Sequence, residues 1–224
     1  MKKKYVLAEF IIVFLFLVFP SLLIGPKEGP VSVDPRYSWL FFVQTAIAAA
    51  LDFECVKFLS AAPPKKHKFS SIIAFSSYFL LSLGSLFLLN ALVNTLSLVL
   101  PDTPFFHATS SNSASTVRKY ILSLPVLLFT AFYEEVIFRE FLPDALIFML
   151  PQNKWTNILA EALCILLFAF AHRYLGLLGV VNALGAAVIL RICKLKTKYV
   201  YTGTLSHFIY NAILFLFTSL LLAN

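Results

Sequence analysis

The chain has 224 residues, of which 60% are hydrophobic and only 13% are charged. This composition excludes an ordinary soluble domain and predicts a polytopic membrane protein, because a spanning helix needs about 20 residues and there is room for roughly seven. The net charge of +7 comes from short Lys and Arg clusters beside apolar runs. We interpret the charge as membrane topology, which argues against a nucleic-acid partner.

Apolar runs along the chain predict an all-α bundle of about seven (six to eight) transmembrane helices. The first run follows three lysines and has only a weak cleavage pattern, so we interpret it as an uncleaved span. The third run is too long for one upright helix, which favours a tilted span or a kink near Gly84. The fourth contains Pro125 and Pro143, and either can kink it. The predicted spans are 5–24, 37–60, 69–100, 121–150, 155–174, 175–193 and 199–222.

Charged and turn-forming residues lie between these runs. With a cytoplasmic N-terminus, 12 of the 18 Lys and Arg residues fall on the cytoplasmic side, as the positive-inside rule leads us to expect. We therefore predict an integral multi-pass protein with that orientation. The predicted connections are the loops 25–36, 63–68 and 101–116, and a basic loop after the sixth span with Arg191, Lys194, Lys196 and Lys198.

The three cysteines lie in apolar or helix-end settings without the spacing of a metal site. We predict that Cys55, Cys164 and Cys193 are free thiols that pack in the interior.

The stretch 132–139, F-Y-E-E-V-I-F-R, places three ionisable residues inside an otherwise apolar run. Charged side chains at membrane depth are costly and need a partner or a function. On a helix, Glu135 and Arg139 are four residues apart in the favourable order for an ion pair, whereas Glu134 points about 100° away. The sequence predicts one neutralised carboxylate, Glu135, and one available carboxylate, Glu134. The alternative is a charge cluster that only fixes helix packing.

Two later spans each carry a histidine with a second notable residue four positions away. Phe168 precedes His172 on the fifth span, and Asn211 follows His207 on the seventh, so each pair lies on one helix face. A single histidine in a span is more often a packed core residue than a catalyst, but two histidines with an available carboxylate favour a catalytic site. On upright helices His172 would lie near the outer end of its span and His207 in the inner third. A shared site therefore requires tilted, short or broken helices.

In this order and spacing, the motifs E-E-x-x-x-R (134–139), F-x-x-x-H (168–172) and H-x-x-x-N (207–211) resemble those of the CPBP family. These are the CAAX proteases and bacteriocin-processing enzymes, also called the Abi family of intramembrane proteases. The resemblance covers about residues 118–218.

We interpret the chain as one integral membrane domain, 1–224, with a CPBP-like catalytic core at 118–218 and N-terminal helices, 1–117, to which no motif assigns a role. By the resemblance, Glu134 is the catalytic carboxylate and His172 is its partner on the attacking water. His207 and Asn211 hold the oxyanion. The supporting residues are Glu135, Arg139 and Phe168.

One position departs from the eukaryotic Ras-converting branch of this family. That branch tends to carry a further histidine three residues after the position of His172, where this chain has Leu175. The departure argues against prenylated CAAX substrates and favours a bacterial member, located in the cytoplasmic membrane. The implied partners are membrane lipid and a protein or peptide substrate, lipid-modified or not.

The residue types support amide hydrolysis without a covalent intermediate. A carboxylate in a low-dielectric pocket can take a proton from water, a neutral histidine can orient that water, and His and Asn side chains can donate to the developing oxyanion. The chain contains no H-E-x-x-H and no G-x-S-x-G motif, and the lone G-T-L-S-H at 203–207 is weak. We predict a glutamate-type intramembrane endopeptidase that uses no cofactor and no metal.

Three alternatives use the same residues differently. A Zn²⁺ ion held by Glu134, His172 and His207 with one open position satisfies the ligand rules equally well. A non-catalytic immunity or scaffold protein would use the polar cluster only to hold the bundle together. A transporter fits less well, because the two halves of the chain do not match each other.

Overall fold

A computed structural model describes residues 3–25, 39–55, 70–100, 113–151 and 153–221, and these residues are almost entirely helical. No strand occurs among them, so the predicted all-α bundle is confirmed. Most of the three predicted loops at 25–36, 63–68 and 101–116 lies outside the described residues. The α-helices are α1 (Lys3–Val13), α2 (Phe19–Leu23), α3 (Trp39–Glu54), α4 (Ser70–Val99), α5 (Ser113–Glu135), α6 (Leu142–Met149), α7 (Lys154–Ala171), α8 (Gly176–Thr197) and α9 (Val200–Leu221).

Six stretches of the described chain are long and apolar enough to cross a membrane. Large apolar side chains project outward from them, as lipid-facing surfaces do; Phe16, for example, is 73% exposed. The protein is therefore an integral multi-pass membrane protein. Helix α3, the described part of the second predicted span, has 16 residues and is not among the six. The six are Lys3–Leu23, Ile72–Val99, Tyr120–Met149, Lys154–Ala171, Arg173–Thr197 and Val200–Phe217.

Two of these spans contain a π-helical segment shortly before a proline. The segment Phe14–Val18 precedes Pro20, and the segment Val136–Phe141 precedes Pro143. Proline has no backbone N–H and its ring crowds the carbonyl four residues earlier, so a wider turn at that point relieves the clash. Helix α5, by contrast, continues through Pro125.

Helix α4 is α-helical through Gly84. Its 30 residues would be about 45 Å long, more than a bilayer core of roughly 30 Å, which favours the tilted alternative for this span.

The bundle centres on the second π segment, all six residues of which are buried. Helices α5 and α9 pack together, α4 lies against α8 and α9, and α7 lies against α8. Hydrogen bonds tie the first span to the rest. Lys3 Nζ donates to the Met149 carbonyl at 3.2 Å, and the Tyr133 hydroxyl donates to the Leu17 carbonyl at 3.2 Å. At the other end, Arg173 Nε donates to the Ile24 carbonyl at 2.9 Å.

The predicted basic loop after the sixth span is wrong, because α8 continues to Thr197. Arg191 and Lys194 are only 5% and 9% exposed. Arg191 pairs with Glu161 of α7, while Lys194 Nζ lies 3.4 Å from Glu140 and 3.6 Å from Asp144. Acids on neighbouring helices neutralise these cations and allow the helix to continue. The three cysteines are buried and none is in a disulfide, as predicted for Cys55, Cys164 and Cys193.

Candidate active site

Two adjacent glutamates end helix α5 in different surroundings. Glu135 is completely buried, whereas 20% of the Glu134 side chain is exposed. Oε2 of Glu135 lies 3.6 Å from Nε of Arg139, so the ion pair expected from their spacing is present. Glu134 is the more accessible of the two carboxylates.

His207, on α9, lies between these two carboxylates. Its Nδ1 donates to Oε1 of Glu135 over 3.0 Å, and its Nε2 lies 3.8 Å from Oε2 of Glu134. An ionised carboxylate only accepts hydrogen bonds. Glu135 therefore holds a proton on Nδ1 and turns Nε2 of His207 toward Glu134.

Gly203 permits this approach. It precedes His207 by one helical turn, and a Cβ at this position would lie 3.1 Å from Oε2 of Glu135. Any larger residue would crowd the buried carboxylate. Sequence reasoning did not assign Gly203 to the site; its position four residues before His207, on the same helix face, was the available signal.

The ring of Phe168 packs between Arg139 and the two histidines. It is 2% exposed, and the guanidinium carbon of Arg139 lies 3.7 Å from the centre of its ring. This is a buried cation–π contact. The rings of Phe138 and Phe168 meet edge to face at 5.2 Å. Phe168 thus contacts the Arg139 guanidinium, which is also paired with Glu135.

His172 follows the last residue of α7 and bonds back to it. Its Nδ1 lies 2.8 Å from the carbonyl oxygen of Phe168. Since a carbonyl only accepts, Nδ1 donates and Nε2 remains an acceptor. The chain then turns through the short 3₁₀ segment Arg173–Leu175 and Gly176, whose φ of 81° favours glycine.

The ring of Phe168 lies close to both histidines. Its centre is 4.4 Å from that of the His172 ring and 6.5 Å from that of the His207 ring. One aromatic side chain of α7 therefore adjoins the histidine at the end of its own helix and the histidine on α9.

Asn211 and Tyr174 complete the surroundings. Asn211 is half-buried on α9, one turn beyond His207 on the same face. The ring of Tyr174 lies 6.0 Å from that of His172. No motif in the sequence pointed to Tyr174.

The arrangement of ligands bears on the zinc alternative. Within the described part of the chain, no three His, Cys, Asp or Glu side chains are grouped so that they could hold a metal ion. The zinc alternative, with Glu134, His172 and His207 as ligands, is decided by chelation of the purified protein.

Comparison with known families covers the same region. Residues 116–213 match the family model described as Type II CAAX prenyl endopeptidase Rce1-like. This segment, less than half of the chain, is similar to the Rce1-like proteins of the CPBP family. No curated protein and no solved structure matches the chain.

The Rce1-like segment includes all three motifs from which the sequence predicted the site. The resemblance to the CPBP family is thus confirmed for this segment. Helices α1 to α4 precede the matched residues. The family description names prenyl endopeptidases, whereas Leu175 is the position that argued against prenylated substrates.

Proposed function

We propose that this protein is an intramembrane endopeptidase that hydrolyses a peptide bond of a membrane-associated protein or peptide with a water activated by Glu134. The observation that carries the proposal is the meeting of Glu134 and His207, from different helices, with 3.8 Å between Oε2 and Nε2. The ring of Phe168 contacts His172 and adjoins His207. A partly exposed carboxylate that faces a histidine supports water activation better than a fully buried ion pair does.

In the proposed reaction Glu134 takes a proton from water while the water oxygen bonds to the peptide carbonyl carbon. Nε2 of His172 accepts a hydrogen bond from the same water and orients it. The carbonyl oxygen becomes an oxyanion that accepts hydrogen bonds from His207 and Asn211. The carbon–nitrogen bond then breaks, and Glu134 returns its proton to the leaving amine.

Glu135 and Arg139 support this reaction through their contacts with His207 and with each other. Glu135 keeps the proton on Nδ1 of His207, so donation to the oxyanion requires a second proton on Nε2. In that step the negative charges of Glu135 and of the oxyanion offset the positive charge of the imidazole, because Glu134 has already taken up the proton of the water. Arg139 in turn balances Glu135 at 3.6 Å, so the group of four side chains carries no large net charge.

We also propose a cytoplasmic N-terminus in a bacterial cytoplasmic membrane. The support is the position of Leu175 and the excess of cationic residues that the sequence assigns to that side, 12 of 18, of which Arg191 and Lys194 are neutralised by buried acids. Variants with one introduced cysteine, Lys154→Cys or Lys198→Cys, should not be labelled by a membrane-impermeant thiol reagent in intact cells, whereas Arg173→Cys should be labelled. The opposite pattern would contradict the orientation.

The proposed function is tested with detergent-purified protein and quenched peptides, unmodified and farnesylated. Wild type should cleave at least one class, and Glu134→Gln, purified identically, should be slower by roughly 10²–10⁴-fold. Cleavage by wild type should persist after exhaustive chelation. Wild-type turnover by the Glu134→Gln variant would contradict the role of Glu134, and loss of activity on chelation that zinc restores would favour the metal mechanism.

A further inference from the structure

The π segment Val136–Phe141 begins directly after Glu135 and leads into Pro143. In a regular α-helix the carbonyl of Arg139 would accept from the N–H of residue 143, but proline has none. All residues of the segment are buried, and a buried carbonyl needs a donor. A donor from another helix can satisfy this carbonyl.

Arg191 of α8 supplies that hydrogen bond. Its Nη1 donates to the Arg139 carbonyl oxygen. Its Nε donates to Oε2 of Glu161 at 2.5 Å, and its Nη2 donates to Oε1 of the same carboxylate. One guanidinium thus joins the π segment to both α7 and α8. Its planar fork allows one side chain to make all three contacts.

Glu161 lies on the face of α7 that carries Phe168 and His172. Phe168 and His172 follow Glu161 by seven and eleven positions, and both spacings bring a side chain back to the same helix face. Arg191 therefore connects the Arg139 carbonyl to this face of α7 at Glu161. The Arg139 side chain contacts the same face seven residues further along, at Phe168.

We propose that Arg191 and Glu161 are positioning residues of the active site. Arg191 holds the π segment in register, so that Glu134 and Glu135 face His207, while Glu161 fixes the face of α7 that presents His172. This inference rests on the proposed function. A misplacement of about 1 Å in such a site typically costs on the order of 100-fold in rate.

The test replaces both charges together, Glu161→Met with Arg191→Met, because apolar replacement of a whole buried pair usually preserves folding. We expect a folded protein whose kcat falls roughly 100-fold while KM stays within about threefold of wild type. Asn153→Ala is the matched control. It removes the capping box at the start of α7 and lowers the stability of the same helix without touching the π segment, so its kcat should be unchanged.

A second readout does not depend on turnover. In protein labelled with ¹⁵N-histidine, the Nδ1 signal of His207, assigned with His207→Gln, reports its hydrogen bond to Glu135. The double variant should shift this signal and the Asn153→Ala control should not. If wild type cleaves no peptide, the proposed function fails while this signal still tests the positioning role.

Wild-type kcat with an unshifted His207 signal in the folded double variant would overturn the proposal. Should the double variant not fold, Arg191→Lys decides. A lysine keeps the charge opposite Glu161 but cannot hold the carboxylate and the Arg139 carbonyl at once. Its kcat should fall about tenfold at unchanged KM, and an unchanged kcat would sink the inference.

Discussion

Nδ1 of His207 donates to Oε1 of Glu135 over 3.0 Å, and this hydrogen bond joins the end of α5 to α9. The same carboxylate meets Arg139 through its other oxygen. Glu135 therefore supports both a catalytic candidate and a buried cation, whereas Glu134 only faces the site. Substitution of Glu135 should therefore reduce stability, whereas substitution of Glu134 should reduce turnover.

Glu135→Ala should lower the free energy of unfolding by about 3–5 kcal/mol, because it leaves the buried Arg139 guanidinium without a counter-charge. Glu134→Gln should leave unfolding close to wild type and reduce turnover by roughly 10²–10⁴-fold. Thermal unfolding in detergent and peptide cleavage measure the two effects. Equal loss of folding in both variants would favour the scaffold alternative.

Gly203→Ala should reduce turnover, because its Cβ would lie 3.1 Å from Oε2 of Glu135 and displace the carboxylate from His207. Gly84→Ala is the matched control: it also adds a methyl group to a helical glycine, but nothing lies within 4 Å. The control should keep full turnover and gain about 0.5–1 kcal/mol of stability. Full activity in Gly203→Ala would show that the close approach is not needed.

Asn211→Ala should lower kcat by about 10²–10³-fold, the usual loss when an oxyanion donor is removed. Asn90→Ala provides the comparison. Asn90 accepts a hydrogen bond at 3.4 Å from the hydroxyl of Tyr210, the residue that precedes Asn211. Asn90 has no part in the proposed chemistry. Steady-state kinetics of both variants should separate them; similar losses would indicate a packing role for both asparagines.

Arg173→Ala should loosen the end of the first span, since its guanidinium donates to the carbonyls of Ile24 at 2.9 Å and Leu23 at 3.1 Å. Hydrogen exchange should quicken in α2 and remain slow in α1. Lys3→Ala should act on the opposite end of the same span, because Lys3 donates to the Met149 carbonyl. Unchanged exchange in α2 would mean that other contacts hold this end.

Some site residues could be predicted because their spacing carries the information. Glu135 and Arg139 are four apart on a helix, so their ion pair and the freedom of Glu134 follow from helical geometry. Phe168 with His172, and His207 with Asn211, share a face for the same reason. The cost of charge in lipid then singles out these positions within apolar runs.

Arg191 shows where such reasoning stops. Its cluster with Lys194 and Lys196 is typical of a cytoplasmic loop, yet Arg191 is buried against Glu161, thirty residues earlier in the chain. A cation's partner on another helix leaves no periodic trace in its own segment. Gly203 is similar, because its role depends on how closely α9 approaches Glu135.

The sequence by itself determined the helical membrane bundle and the pairs of residues that share a helix face, because hydrophobicity and a 3.6-residue repeat are local properties. Only the tertiary structure decided that the Phe168 ring lies near both His172 and His207. The same is true of the hydrogen bond from Arg191 to the carbonyl of Arg139, four residues before Pro143. Those relations depend on how the helices pack and on side chains from distant segments. Packing of the whole bundle sets both.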